Sequence, residues 1–201
     1  MKKQIIIIHG GEVFNTRADY LKYLKDCKID FVRLKLKRKG WKDDLEEKLG
    51  KNFEIIRPQM PSPRNAKYEE WKIWFEKFFP ILRDNIILIG NSLGGIFLAK
   101  YLSENKFPVK ISQLHLVAAP FGKEKDRYSL ADFKLPASLK KIEKQASKIF
   151  LYHSKDDSIV PFSDLKKYAD ELPSAEKIIF KNRDHFFQEE FPELIERIKK
   201  N

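Results

Sequence analysis

One cysteine in 201 residues, Cys27, leaves no partner for an intramolecular disulfide, which agrees with a reducing compartment. Glycine is also scarce, at eight residues, and nowhere forms a phosphate-cradling loop of the P-loop or dinucleotide type. Long apolar runs are missing. The longest, Ile5–Ile8 and Ile86–Ile89, fall far short of a bilayer. Met1-Lys2-Lys3-Gln4 leads straight into a strand pattern without a cleavable apolar segment, so the expected location is the cytoplasm and no membrane span is expected. The four histidines stand at 9, 115, 153 and 185, with no His-Glu-x-x-His, no cysteine pair and no carboxylate cluster of ligand spacing. Neither a metal nor a cofactor is expected.

Acidic residues are few relative to basic ones, 29 against 40, giving a formal net charge of +11. Clustered cations favour nucleic acids or anionic membranes, and Lys35-Leu-Lys-Arg-Lys-Gly-Trp-Lys42 is the densest cluster here. Lysine outnumbers arginine 31 to 9 and is spread over almost every predicted helix. That distribution describes solvated helix faces, and no nucleic-acid partner is expected.

Strand-like runs at Gln4–His9, Phe53–Arg57, Asn85–Gly90, Gln113–Ala118, Lys148–His153 and Lys177–Lys181 alternate with amphipathic segments. Helices are expected near Arg17–Cys27, Tyr68–Arg83, Leu93–Asn105, Leu139–Gln145, Phe162–Leu172 and Pro192–Lys200. This alternation implies one α/β domain over residues 1–201, a doubly wound, mostly parallel six-stranded sheet with helices on both faces. In a 2-1-3-4-5-6 sheet, ligands bind beyond the carboxyl ends of the strands, between the first and third. Those two strands end at His9-Gly10-Gly11 and at Ser92.

Ser92 is the centre of Gly90-Asn-Ser-Leu-Gly94, preceded by a buried strand pattern and followed by a helical one. A Gly-x-Ser-x-Gly sequence in that context is a nucleophile elbow: a strained turn lifts the hydroxyl clear of the sheet, and the flanking glycines allow the backbone to pass close by. A serine hydroxyl needs a base and an orienting acid. Downstream, Asp156 and Asp157 follow the fifth strand and His185 follows the sixth, all at the edge that carries Ser92. The chain order is Ser, Asp, His.

Together with the opening Ile-Ile-His-Gly-Gly, Asp157-Ser-Ile-Val-Pro161 and Asp184-His-Phe186, the elbow resembles an α/β-hydrolase. The small size and Arg57-Pro-Gln-Met-Pro61, leading to Glu70-Trp71, resemble the compact serine hydrolases typified by retinoblastoma-binding protein nine. The resemblance covers nearly the whole chain, except a longer segment at 29–50 that would form an added edge element or a flap. It implies Ser92 as nucleophile, His185 as general base and Asp157, three residues before Val160-Pro161, as orienting acid. Asp184 stands where such enzymes more often carry glycine. The oxyanion hole implied is the amide of Leu93 with one from the loop after the first strand, Gly11 first and Glu12 second.

The short interval from Phe121 to Ser147 leaves no room for a multi-helix cap, so the pocket is expected to be partly open. Its candidate lining is Phe121, Tyr128, Phe133, Phe162 and Phe186. The activity expected is hydrolysis of carboxylic esters with small or medium acyl groups, with thioesters, lactones and peptides left open. The rival is a protein-interaction module that keeps a weakly active triad.

Overall fold

The computed structural model describes residues 2–29, 40–122 and 130–200. Six strands, β1 (Lys3–Ile8), β2 (Phe53–Ile56), β3 (Ile86–Asn91), β4 (Ile111–Val117), β5 (Ile149–Ser154) and β6 (Glu176–Phe180), pair in parallel in the order β2-β1-β3-β4-β5-β6. This is the order that the resemblance to α/β-hydrolases implies. Parallel strands need crossovers, and these carry helices α1 (Arg17–Asp26), α2 (Trp41–Leu49), α3 (Tyr68–Glu76), α4 (Leu93–Glu104), α5 (Lys140–Glu143) and α6 (Ser163–Glu171), while α7 (Pro192–Lys199) follows β6.

The run Ile5–Ile8 shows why the central strands read as apolar without alternation. Ile6 and Ile8 point into the core beneath α3, α4 and α6, whereas Ile5 and Ile7 point into a second core beneath α2 and α7. Both faces are covered there, so both faces of the central strand β1 are apolar over this run. The first core holds an aromatic cluster in which Trp71, Phe75, Phe97 and Phe133 meet edge to face.

One sequence expectation changes. The helix expected to run from Tyr68 to Arg83 stops at Glu76 and resumes only as a single tight turn at Phe79–Ile81, because Pro80 lacks the N–H an α-helix would require. The segment 29–50, expected as an added edge element or a flap, is described at residue 29 and at 40–50. From Trp41 it forms α2, whose Trp41, Leu45 and Leu49 are buried in the second core. Positions 30–39, which hold most of the basic cluster, lie outside the described residues.

Strand register places the site. Ile8 is level with Gly90, Asn91 with Val117, and Ser154 with Phe180. The residues immediately beyond these pairs therefore emerge side by side at the carboxyl edge of the sheet.

Candidate active site

Ser92 follows β3 and opens α4 with φ 54° and ψ −122°, a conformation few L-residues adopt. Its N–H is anchored on the Val117 carbonyl at 2.8 Å. A serine in this position usually caps its helix, but the Ser92 side chain caps none of the free N–H groups of α4, so its hydroxyl is not committed there. The turn is tight because backbone meets backbone. A Cβ on Gly90 would stand 2.4 Å from the Gly94 carbonyl oxygen, and one on Gly94 would stand 2.3 Å from that of Ile8. No side chain fits at either position.

Asp157 and His185 come together as expected. The ring Nδ1 of His185 lies 2.9 Å from Asp157 Oδ2 and 3.1 Å from Oδ1. A carboxylate only accepts, so Nδ1 carries the hydrogen and Nε2 is the acceptor. The Asp157 side chain is fully buried and also accepts from the amides of Ile159 at 2.9 Å and Val160 at 2.8 Å. On its far side, His153 Nε2 approaches to 3.6 Å while donating to the Val160 carbonyl at 3.0 Å. Burial lowers the pKa of His153, which keeps that ring neutral.

Asp156 has a different task. Its Oδ1 accepts from the Ser154 hydroxyl and from the Asp184 amide, the latter at 3.1 Å. Asp184 reciprocates, accepting from the amide and hydroxyl of Ser158 at 2.9 and 2.7 Å. The two aspartates thus clasp the loop after β5 to the loop after β6, which fixes His185 relative to Asp157. Asp184 stands where the family resemblance implies glycine. It takes a left-handed φ of 44°, which Asp tolerates better than most residues, and its carboxylate adds the clasp.

The loop after β1 is ordered by His9. Its Nε2 accepts the Met60 amide at 3.0 Å, so Nδ1 carries the hydrogen and donates to the Gly10 carbonyl at 2.6 Å. Because a trans peptide points its C=O and N–H in opposite directions, this bond turns the Gly11 N–H away from His9. A Cβ on Gly11 would stand 2.7 Å from the Pro63 carbonyl oxygen and 3.1 Å from Leu93 Cδ2, so this backbone sits against the start of α4. Glu12, the second choice for an oxyanion donor, already gives its N–H to the Pro63 oxygen at 2.8 Å and drops out. The Leu93 amide belongs to the first turn of α4, where helix N–H groups lack intrahelical acceptors.

Ser92, His185, Gly10 and Gly11 line one cavity of about 670 Å³. Of the five aromatic candidates for its wall, Phe186 alone lies along it in the described residues. Phe121 and Phe133 are core residues instead, against Tyr168 and against Trp71. Phe162 packs on the first core and edge-on to His153. Tyr128 lies outside the described residues. The apolar wall is built from Ile159 and Phe187, each about half exposed, and from Trp41. Ile159 and Phe187 could have been found by their adjacency to Asp157 and His185. Trp41 and its neighbour Lys42 carried no such signal, since the crossover that brings them to the cavity is not written in any motif.

Comparisons with known proteins agree with this geometry. The family model described as serine hydrolase matches residues 36–190. The chain belongs to the serine hydrolase family. This hydrolase is 30% identical to the serine hydrolase RBBP9 of Rattus norvegicus over 164 residues, covering 80% of this chain and 83% of that protein. It is 26% identical to YdeN of Bacillus subtilis (strain 168) over 192 residues, covering 94% and 89%. The crystal structure of the B. subtilis ydeN gene product has the same fold, with a TM-score of 0.75 at 22% identity over 99% of this chain and 98% of that one. No helix among the described residues is long and apolar enough to cross a membrane.

Proposed function

We propose that the hydrolase cleaves carboxylic esters of small or medium acyl groups through an acyl-enzyme. The observation that carries this reading is the Asp157–His185 hydrogen bond at the edge of the cavity that also holds Ser92 in a left-handed elbow. Ser92 Oγ attacks the ester carbonyl while His185 Nε2 takes its proton, and Asp157 holds the imidazole in the required tautomer. The oxyanion is met by the amides of Leu93 and Gly11. The alkoxide leaves with the proton returned by His185, and a water molecule, deprotonated by the same nitrogen, then frees the acid and restores Ser92. Ile159 and Phe187 offer an apolar wall to the acyl chain.

The test is a panel of acyl esters, thioesters, lactones and peptides assayed with wild type and Ser92→Ala, alongside labelling by a fluorophosphonate probe. Ester turnover and labelling that both vanish in Ser92→Ala are expected. A wild-type protein that neither labels nor turns over any ester would favour the interaction-module reading.

A further inference from the structure

The cavity contains a cation that the proposed ester chemistry does not use. Lys42 stands in the first turn of α2, and its Nζ donates to Asn91 Oδ1 at 2.5 Å, the residue immediately before Ser92. An ammonium group has three hydrogens to donate, and Asn91 is neutral. Lys42 forms no ion pair among the described residues. The two carboxylates along the same cavity are engaged elsewhere: Glu12 accepts the Tyr23 hydroxyl at 2.7 Å, and Asp43 accepts the Gly40 amide at 2.7 Å.

The side chain is also held in place. The Trp41 amide donates to the Gln188 carbonyl and its indole N–H to the Phe186 carbonyl, each at 3.2 Å, which ties the start of α2 to the histidine loop. Arg57 donates to the Lys42 carbonyl at 2.6 Å, and Nζ lies 5.3 Å above the Trp41 ring. A fixed, poorly hydrated ammonium beside the nucleophile, with no carboxylate in ion-pair contact among the described residues, is costly unless something anionic completes it. Burial lowers its pKa to about 8, only partly opposed by Asp43.

We propose that Lys42 is a specificity-determining residue whose ammonium group pairs with a carboxylate carried by the ester, so that the hydrolase prefers substrates with a second, anionic group. The inference rests on the ester-hydrolase reading and narrows it to a substrate class. Asn91 aims the ammonium, and the free N–H groups supply charge-assisted hydrogen bonds to the incoming carboxylate. Along the same cavity Arg64 adds to the positive field, and the carboxylates of Glu12 and Asp43 act against it.

The experiment compares matched esters: para-nitrophenyl glutarate monoester against para-nitrophenyl pentanoate for an acyl-side carboxylate, and para-acetoxybenzoate against phenyl acetate for an alcohol-side one. In at least one pair, Lys42→Met should lower the ratio of kcat/KM, anionic over neutral, by about 10- to 100-fold, and Lys42→Arg should retain part of it. The wild-type ratio should also fall as pH rises through about 8, where the ammonium loses its proton. The titratable groups along the cavity with Nζ are Asp43 on its own helix, Glu12 and His185, with His9 at the end of β1; burial holds His9 below the ordinary histidine range, and His185 acts on both esters of a pair alike, so it cancels from the ratio. A strut that only holds Asn91 would change both esters together and leave the ratio and its pH dependence flat, which would overturn the proposal.

Binding separates this inference from the reading beneath it. In the Ser92→Ala background, monomethyl glutarate should bind more tightly than methyl pentanoate, and adding Lys42→Met should abolish the difference. Lys42-dependent binding with no wild-type turnover would sink the ester reading and keep the anion site. Turnover with binding indifferent to Lys42 would do the reverse, and absence of both would remove both.

Discussion

The two ends of the sheet are built to different standards. At the amino edge, polar groups are matched in detail. Gln4 accepts from the Arg83 amide at 2.8 Å and donates to the Ile81 carbonyl at 3.1 Å, Arg83 pairs with Glu54, and Gln113 donates to the Arg197 carbonyl at 3.1 Å. Just inside, fully buried His115 accepts from the Tyr152 hydroxyl and donates to Gln113, both at 2.9 Å. Burial drives its pKa down to about 3, so the ring stays neutral.

The carboxyl edge tolerates what the amino edge avoids. Ser92, Ala118, Asp184 and Phe186 all have φ between 44° and 57° there, whereas the amino end of β3 has Asn85, a residue type that accepts such angles. Phe186 is the costliest of these, and its place is enforced: its amide closes a turn on the Arg183 carbonyl while its ring packs against Phe180 and Phe191. Lys42, which forms no ion pair among the described residues, and the first-turn amide of Leu93 lie at the same edge. Backbone strain gathered at one end, beside Ser92 and His185, is the pattern expected of a fold that gives up stability for chemistry there.

Several variants would break or sharpen that contrast. The largest effect is expected at Ser92 and His185. Ser92→Ala and His185→Ala should each lower kcat for ester hydrolysis by about 10⁴-fold or more, and the double variant should be no worse than either, because the residues act as one unit. Single-turnover assays on highly purified protein would show it, and additive losses would break the unit.

Next come the adjacent carboxylates. Asp157→Asn should cost about 10⁴-fold in kcat by presenting the wrong imidazole tautomer. Asp156→Asn keeps an oxygen acceptor for Ser154 and the Asp184 amide, so a loss below about tenfold is expected. A reversed order in steady-state kinetics would exchange their roles.

A smaller effect, on stability, concerns Lys42. Its value in the folded protein, about 8, lies below the ordinary 10.5, so the unfolded chain binds the extra proton between those pH values and wild-type stability rises across them. Below pH 8 the folded state bears the whole cost. Lys42→Met should therefore raise Tm by a few degrees, roughly, at pH 7, with the gain fading toward pH 10.5. A Tm difference that does not depend on pH would mean the ammonium is not desolvated. The smallest effect belongs to the amino edge, where Glu54→Gln should move Tm by less than about 2 °C because the Arg83 pair is solvent-exposed. Any change in ester kinetics from that variant would undo the division between the two ends.

Much of this was legible in the residues themselves. The apolar runs Ile5–Ile8 and Ile86–Ile89 revealed strands buried on both faces, and the helical spacing after Ser92 placed the turn between strand and helix. Local chemistry sufficed there, because strand burial, glycine clearance and helix periodicity are written in neighbouring positions. The Ser, Asp, His order and the loop on which each falls came from the same local signals. What only the tertiary structure decided was long-range. Phe121, Phe133 and Phe162 look as suitable for a pocket wall as Phe187, and only packing sends three inward and leaves one beside the cavity. The Val160-Pro161 spacing pointed to Asp157 through the family resemblance, but the part played by Asp156, holding the Asp184 amide 28 residues away, exists only in the folded chain. Lys42 belonged to a basic run that reads as solvated surface. The crossover through α2 brings it 49 residues along the chain to Asn91, and periodicity, composition and motif do not encode which side chains a crossover sets against each other.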